Sequence, residues 1–247
     1  MLFILQGLFL PFVGTMLGSA CVFIMGGKIN KNINNILQGF AAGVMIAASV
    51  WSLIIPAIEN SSYLGTFAFL PSVIGIMIGF VFFLFIDKLL ESGKFLENKN
   101  LLVIAVSLHN LPEGMAVGVA IVAALNNAGI KPIEVVSLAL GIAIQNFPEG
   151  AIISLPLKAS GKSKISSFFI GVFSAIVELF GAIITLIFAS IISPLLPYFL
   201  SFAAGSMLYV VVEELIPEIA KDNKNHIGTI SFALGFIIMM SLDVALG

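Results

Sequence analysis

Two near-copies of one polar hexapeptide interrupt long apolar segments: His109-Asn110-Leu111-Pro112-Glu113-Gly114 and Gln145-Asn146-Phe147-Pro148-Glu149-Gly150. A carboxylate deep in hydrocarbon is costly, and ionisable residues at that depth mark functional sites. Residues at i, i+3 and i+4 share a helix face. His109, Asn110 and Glu113 therefore point one way on one helix, and Gln145, Asn146 and Glu149 do the same on another. The set of two carboxylates, one imidazole and three amides suits a borderline divalent cation such as Zn²⁺, Fe²⁺ or Mn²⁺, and the lack of thiolate argues against Cu(I). Amide oxygens are weak ligands, which suits a path that must release its ion. A structural zinc site would be closed and rich in Cys or His. The pattern reads as a cation site at the bilayer midplane.

Other residues extend this constellation. Each proline lacks an N–H, so Pro112 frees the carbonyl of Leu108 and Pro148 that of Ile144, giving loosened backbone that is tolerated where it lines a polar cavity. Gly114 and Gly150 are expected to let the two hexapeptide helices approach closely. Glu178 lies mid-span at matching depth, which favours a ligand role over a protonated, hydrogen-bonded buried acid. Glu213 and Glu214 read equally as exit-path residues or interfacial acids. Asp87 and Asp243 sit near span ends and are expected to be solvated, and His226 reads as an exposed loop histidine. Met45 by itself reads as a core filler.

The elements that must position these groups are membrane helices. The chain is 60% hydrophobic and 10% charged, with mean hydropathy +1.15, against about 25% charged residues in soluble domains. Apolar runs predict one transmembrane domain over residues 1–247, an all-α integral membrane protein with eight spans at about 3–25, 37–58, 68–87, 101–125, 133–157, 165–191, 197–219 and 227–246. The alternating short segments of a β-barrel are absent. All basic residues are lysines. Lys28, Lys31, Lys88, Lys94, Lys99, Lys158, Lys162, Lys164, Lys221 and Lys224 fall on alternate connections, and Lys131 alone on the other side. By the positive-inside rule both termini face outward. The first 27 residues lack Lys and Arg, which predicts a retained helix rather than a signal peptide. Cys21 is the single cysteine, so no intrachain disulfide or CxxC clip forms.

Internal similarity adds an architecture. Phe40-Ala41-Ala42-Gly43-Val44-Met45 opens span two and Phe202-Ala203-Ala204-Gly205-Ser206-Met207 opens span seven, an offset of 162 residues. The hexapeptides in spans four and five are offset by 36. Both pairs run in opposite directions, which predicts an inverted 3+2+3 repeat with the metal site on central helices four and five. The alternative for the Ala-Ala-Gly runs is ordinary helix packing.

These residues resemble the signature of the ZIP family of divalent-metal transporters, over essentially the whole chain. The Gln-Asn form in span five, the FAAGVM opening of span two, and Glu213-Glu214 with Pro217 are similar to its GufA-like branch. The resemblance implies a binuclear centre, with His109, Glu113, Gln145 and Glu149 in one subsite and Met45 as a soft ligand. Asn110, Asn146 and Glu178 would form the other, bridged by Glu113 and Glu149. It also implies transport of divalent cations, zinc foremost, into the cytoplasm by rocking or elevator-like movement of a helix bundle. It further implies a homodimer in the lipid bilayer, with no catalytic cofactor and no nucleic-acid partner, while the short loops and all-lysine basic set point to a cell inner or plasma membrane. Asn146 stands where some relatives carry Asp, so the second subsite binds weakly or regulates. The connection at about 88–100 lacks the histidines many members carry there. An intramembrane metal-dependent hydrolase is the main alternative, but HExxH is absent and only two histidines exist. A divalent-cation channel would share the site but not the cycle.

Overall fold

The computed structural model describes residues 1–24, 30–91, 101–220 and 226–246, with only the backbone described for 90, 91 and 101–109. Among the described residues the regular structure is helical and contains no strand. We label the long helices α1 (Leu2–Ile24), α2 (Lys31–Asn60), α3 (Leu70–Glu91), α4 (Leu101–Leu125), α5 (Pro132–Ala159), α6 (Lys164–Ile187), α7 (Ala189–Ala220) and α8 (Ile227–Leu246). Among the described residues, seven helices are long and apolar enough to cross a membrane. Helix α4 runs for 25 residues, of which Asn110–Leu125 form an apolar helix with described side chains.

Local chemistry sets the helix starts. The Asn30 side chain accepts from the Asn32 amide at 3.1 Å and begins α2. The Ser163 hydroxyl accepts from the Ser166 amide at 3.1 Å and begins α6. Before α5, Glu134 accepts from the Lys131 amide at 3.0 Å while Pro132 opens the first turn. Such caps satisfy amides that have no partner within the helix. The apolar run expected over 165–191 divides at Phe188, whose αR-to-turn backbone (φ −91°, ψ 18°) ends α6 and lets α7 begin at Ala189.

Helical path continues through Pro112 and Pro148. The irregular backbone lies elsewhere, in two π-helical segments: Ser49–Ile54 in α2 and Val211–Leu215 in α7. Their first residues are separated by the same 162 positions as the two FAAG runs. A π segment inserts a residue into a turn and re-aims the remainder of the helix, and such segments recur at functional sites.

The helices sort into two groups of four. In one, α1 packs on α5, α4 on α6, and α1 also on α6; in the other, α2 packs on α8 and α3 on α7. The groups meet where α2 crosses α5 and where α4 crosses α7. Glycines set the closest approaches. A Cβ on Gly114 would stand 1.9 Å from the carbonyl oxygen of Glu178, and one on Gly150 would stand 2.2 Å from that of Thr15. The expectation that these glycines bring α4 and α5 together is therefore corrected. Gly114 seats α4 on α6, and Gly150 seats α5 on α1. Each hexapeptide is backed by an outer helix because glycine is the only residue that admits a backbone so near.

Candidate metal centre

Three helices contribute to one buried polar cluster. Asn110 and Glu113 come from α4, Gln145, Asn146 and Glu149 from α5, and Glu178 from α6, with α1 behind them. Asn110, Glu113, Gln145 and Asn146 are fully buried, Glu178 is nearly so, and Glu149 is partly buried. Gln145 Nε2 donates to Glu113 Oε1, joining the two hexapeptides. Asn146 Nδ2 donates to Glu178 Oε2 at 2.8 Å, joining α5 to α6. Asn110 Nδ2 donates to the carbonyl of Ser174 at 3.1 Å.

With each amide nitrogen committed as a donor, the amide oxygens are left over. Asn110 Oδ1, Glu113 Oε2, Gln145 Oε1, Asn146 Oδ1 and Glu178 Oε1 are all buried and have no hydrogen-bond donor among the described residues. An unsatisfied buried polar group costs about 1–3 kcal/mol, so five together would cost about 5–15 kcal/mol. That is comparable to the whole stability of a folded domain. The carboxylates of Glu113, Glu149 and Glu178 also lie near enough to repel one another. Acceptors without donors, arranged around repelling carboxylates, are the chemistry of an oxygen site for a divalent cation. The residues present thus fit a metal cargo. Among the described residues no three His, Cys, Asp or Glu side chains form a metal-holding group by themselves. Three of the six residues of this cluster are amides, and the side chain of His109 lies outside the described residues.

The remaining expected residues fall as follows. Met45 is fully buried on α2, in the apolar core that also holds Leu138 and Ile142 of α5. Glu213 is exposed and Glu214 partly buried, both in the π segment of α7. His226 is exposed. Lys28, Lys94, Lys99, Lys221 and Lys224 lie outside the described residues.

Two aspartates expected to be solvated are not free in solvent. Asp87 accepts from Tyr209 Oη at 2.6 Å, which ties α3 to α7. Asp243 accepts from Ser52 Oγ at 2.9 Å and from Ser137 Oγ at 3.2 Å, so one carboxylate holds α8, the α2 π segment and α5. It lines a cavity of about 160 Å³ together with Glu59 and Glu134. The sequence signals their position near span ends. It does not signal the hydroxyls opposite, which come from helices distant in the chain.

The fold and this cluster define a multi-pass helical membrane protein with a buried acidic centre. Residues 92–243 match the family described as "ZIP Zinc transporter". The chain is 33% identical to the zinc transporter ZIP11 of Xenopus tropicalis over 98% of this chain and 97% of that protein. It is 34% identical to the zinc transporter GufA of Myxococcus xanthus, covering 95% and 96% respectively. It is 32% identical to the zinc transporter ZIPB of Bordetella bronchiseptica, covering 96% and 79%. The chain belongs to the ZIP family. That family consists of transporters, and the hydrolase alternative falls with it.

Proposed function

We propose that this chain carries divalent transition-metal cations, zinc foremost, through the cluster between α4, α5 and α6 toward the cytoplasm. The observation that carries the reading is a buried, hydrogen-bonded set of amides and carboxylates in which five oxygens have no donor among the described residues. One subsite would use Glu113, Gln145 and Glu149 with His109, and Met45 as a soft ligand. The other would use Asn110, Asn146 and Glu178, with Glu113 and Glu149 between the two. The names of the relatives support zinc as cargo.

In this reading α4 is the eighth span, both termini lie outside, and the protein is a homodimer in a cell inner or plasma membrane. The architecture is the inverted 3+2+3 repeat, with α1–α3 answering α6–α8 and α4 answering α5. The matched π segments support it, as do the paired packings of α1 on α5 with α4 on α6 and of α2 on α8 with α3 on α7. Transport would proceed by movement of the group α1, α4, α5, α6 against the other four, with Glu213 and Glu214 on the exit side. The test is Zn²⁺ uptake by cells making the protein. Glu113→Ala abolishes uptake while the protein still inserts; undiminished uptake by an inserted Glu113→Ala protein contradicts the proposal.

A further inference from the structure

Helix α1 backs the centre without a ligand assigned to it, yet its contacts with α5 repeat those of α6 with α4. Asn110 Nδ2 donates to the carbonyl of Ser174 at 3.1 Å, and Asn146 Nδ2 donates to the carbonyl of Pro11 at 3.4 Å. A Cβ on Gly114 would meet Glu178 O at 1.9 Å, and one on Gly150 would meet Thr15 O at 2.2 Å. A Cβ on Gly181 would meet Leu111 O at 2.7 Å, and one on Gly18 would meet Phe147 O at 1.9 Å. In all three pairs the α4 and α5 residues are 36 positions apart, and the α1 and α6 residues 163. Thr15 therefore holds on α1 the place that Glu178 holds on α6.

Thr15 is fully buried, and its Oγ1 has no hydrogen-bond partner among the described residues. A threonine inside a helix ordinarily donates to the carbonyl one turn back, as Thr185 does to Gly181 at 2.8 Å. For Thr15 that carbonyl belongs to Pro11, and Asn146 approaches it instead. Ser19, one turn further on the same face, lies against Gly150 and Gly171. Thr15 accordingly faces α5 and α6 one turn closer to Glu178.

We propose that Thr15 is a further residue of the cation site, its hydroxyl oxygen completing the subsite of Asn110, Asn146 and Glu178 from the side opposite Glu178. This rests on the proposed transport function. The subsite then receives a carboxylate from α6 and a neutral oxygen from α1. That asymmetry limits how tightly the ion is held, because a path must release what it binds.

The test measures Zn²⁺ binding by equilibrium dialysis and Zn²⁺ flux into proteoliposomes, using full-length protein. Thr15→Val keeps the shape and removes the oxygen, and weakens Zn²⁺ binding about tenfold. Thr15→Ser, which restores an oxygen, recovers most of that loss. A second arm moves the carboxylate across the site: Thr15→Glu combined with Glu178→Thr recovers flux that Glu178→Thr alone loses. Wild-type binding by Thr15→Val, with the double variant no better than Glu178→Thr, overturns the proposal. Should the wild-type protein neither bind nor move Zn²⁺, the transport function itself fails, which is a separate result.

Discussion

At the scale of single residues, the centre is defined by which atoms lack partners. Gln145 and Asn146 each donate to a glutamate, which leaves their buried oxygens without a donor among the described residues. The amides thus orient the carboxylates and supply neutral ligands at once. Glu113→Gln removes one charge at nearly constant volume, and Zn²⁺ flux into vesicles falls about 10–100-fold. Asn146→Asp adds a charge to the second subsite; dialysis then shows tighter Zn²⁺ binding, while maximal flux drops because release slows. Protons and metal compete for the same carboxylates, since bound ligands must be deprotonated. Ligand His109 must likewise be neutral to hold metal, so Zn²⁺ affinity declines as the pH falls from 8 to 5, and a flat profile would remove the imidazole as a dominant ligand. Nearly every member of this cluster was legible in the sequence, because polar residues in apolar runs at helical spacing have few other uses. Thr15 was not, since a lone threonine in a membrane helix carries no signal until its neighbours are known.

At the scale of helices, close backbone approach does the positioning. Gly18 has no room for a Cβ against the Phe147 carbonyl, which is backbone and cannot swing aside. Gly18→Ala should destabilise the protein by about 1–3 kcal/mol through overpacking, read as a lowered unfolding transition in detergent. An unchanged transition would mean that α1 and α5 are not held this tightly. The apolar run expected over 165–191 was read as one helix and is two, meeting at Phe188, because a single turn-like residue leaves hydropathy unchanged. The π segments were not legible, because one extra residue in a turn leaves no compositional trace. The partners of Gly114 and Gly150 were also hidden. Sequence shows that a glycine permits a close neighbour and does not say which helix that neighbour is.

At the scale of the molecule, the two groups of four helices meet where α2 crosses α5 and where α4 crosses α7, and the Asn, Gln and Glu cluster comes from α4, α5 and α6 of one group. The Ser137–Asp243 hydrogen bond joins the two groups, from α5 to α8. If one group moves against the other, this bond must break in each cycle. Cysteines placed at Ser137 and Asp243, in a Cys21→Ser background, and bridged by a short bis-thiosulfonate reagent should stop Zn²⁺ flux, and a reductant should restore it. Full flux through the bridged protein would argue for a fixed channel. The most direct measurement of transport through this centre is metal flux into proteoliposomes containing the purified protein, screening Zn²⁺, Cd²⁺, Fe²⁺, Mn²⁺ and Co²⁺ with Glu149→Ala alongside. The expected result is saturable flux, with Zn²⁺ among the metals carried, that is lost in Glu149→Ala. Metal bound at equilibrium but never moved under any gradient, or equal flux through Glu149→Ala, would contradict it.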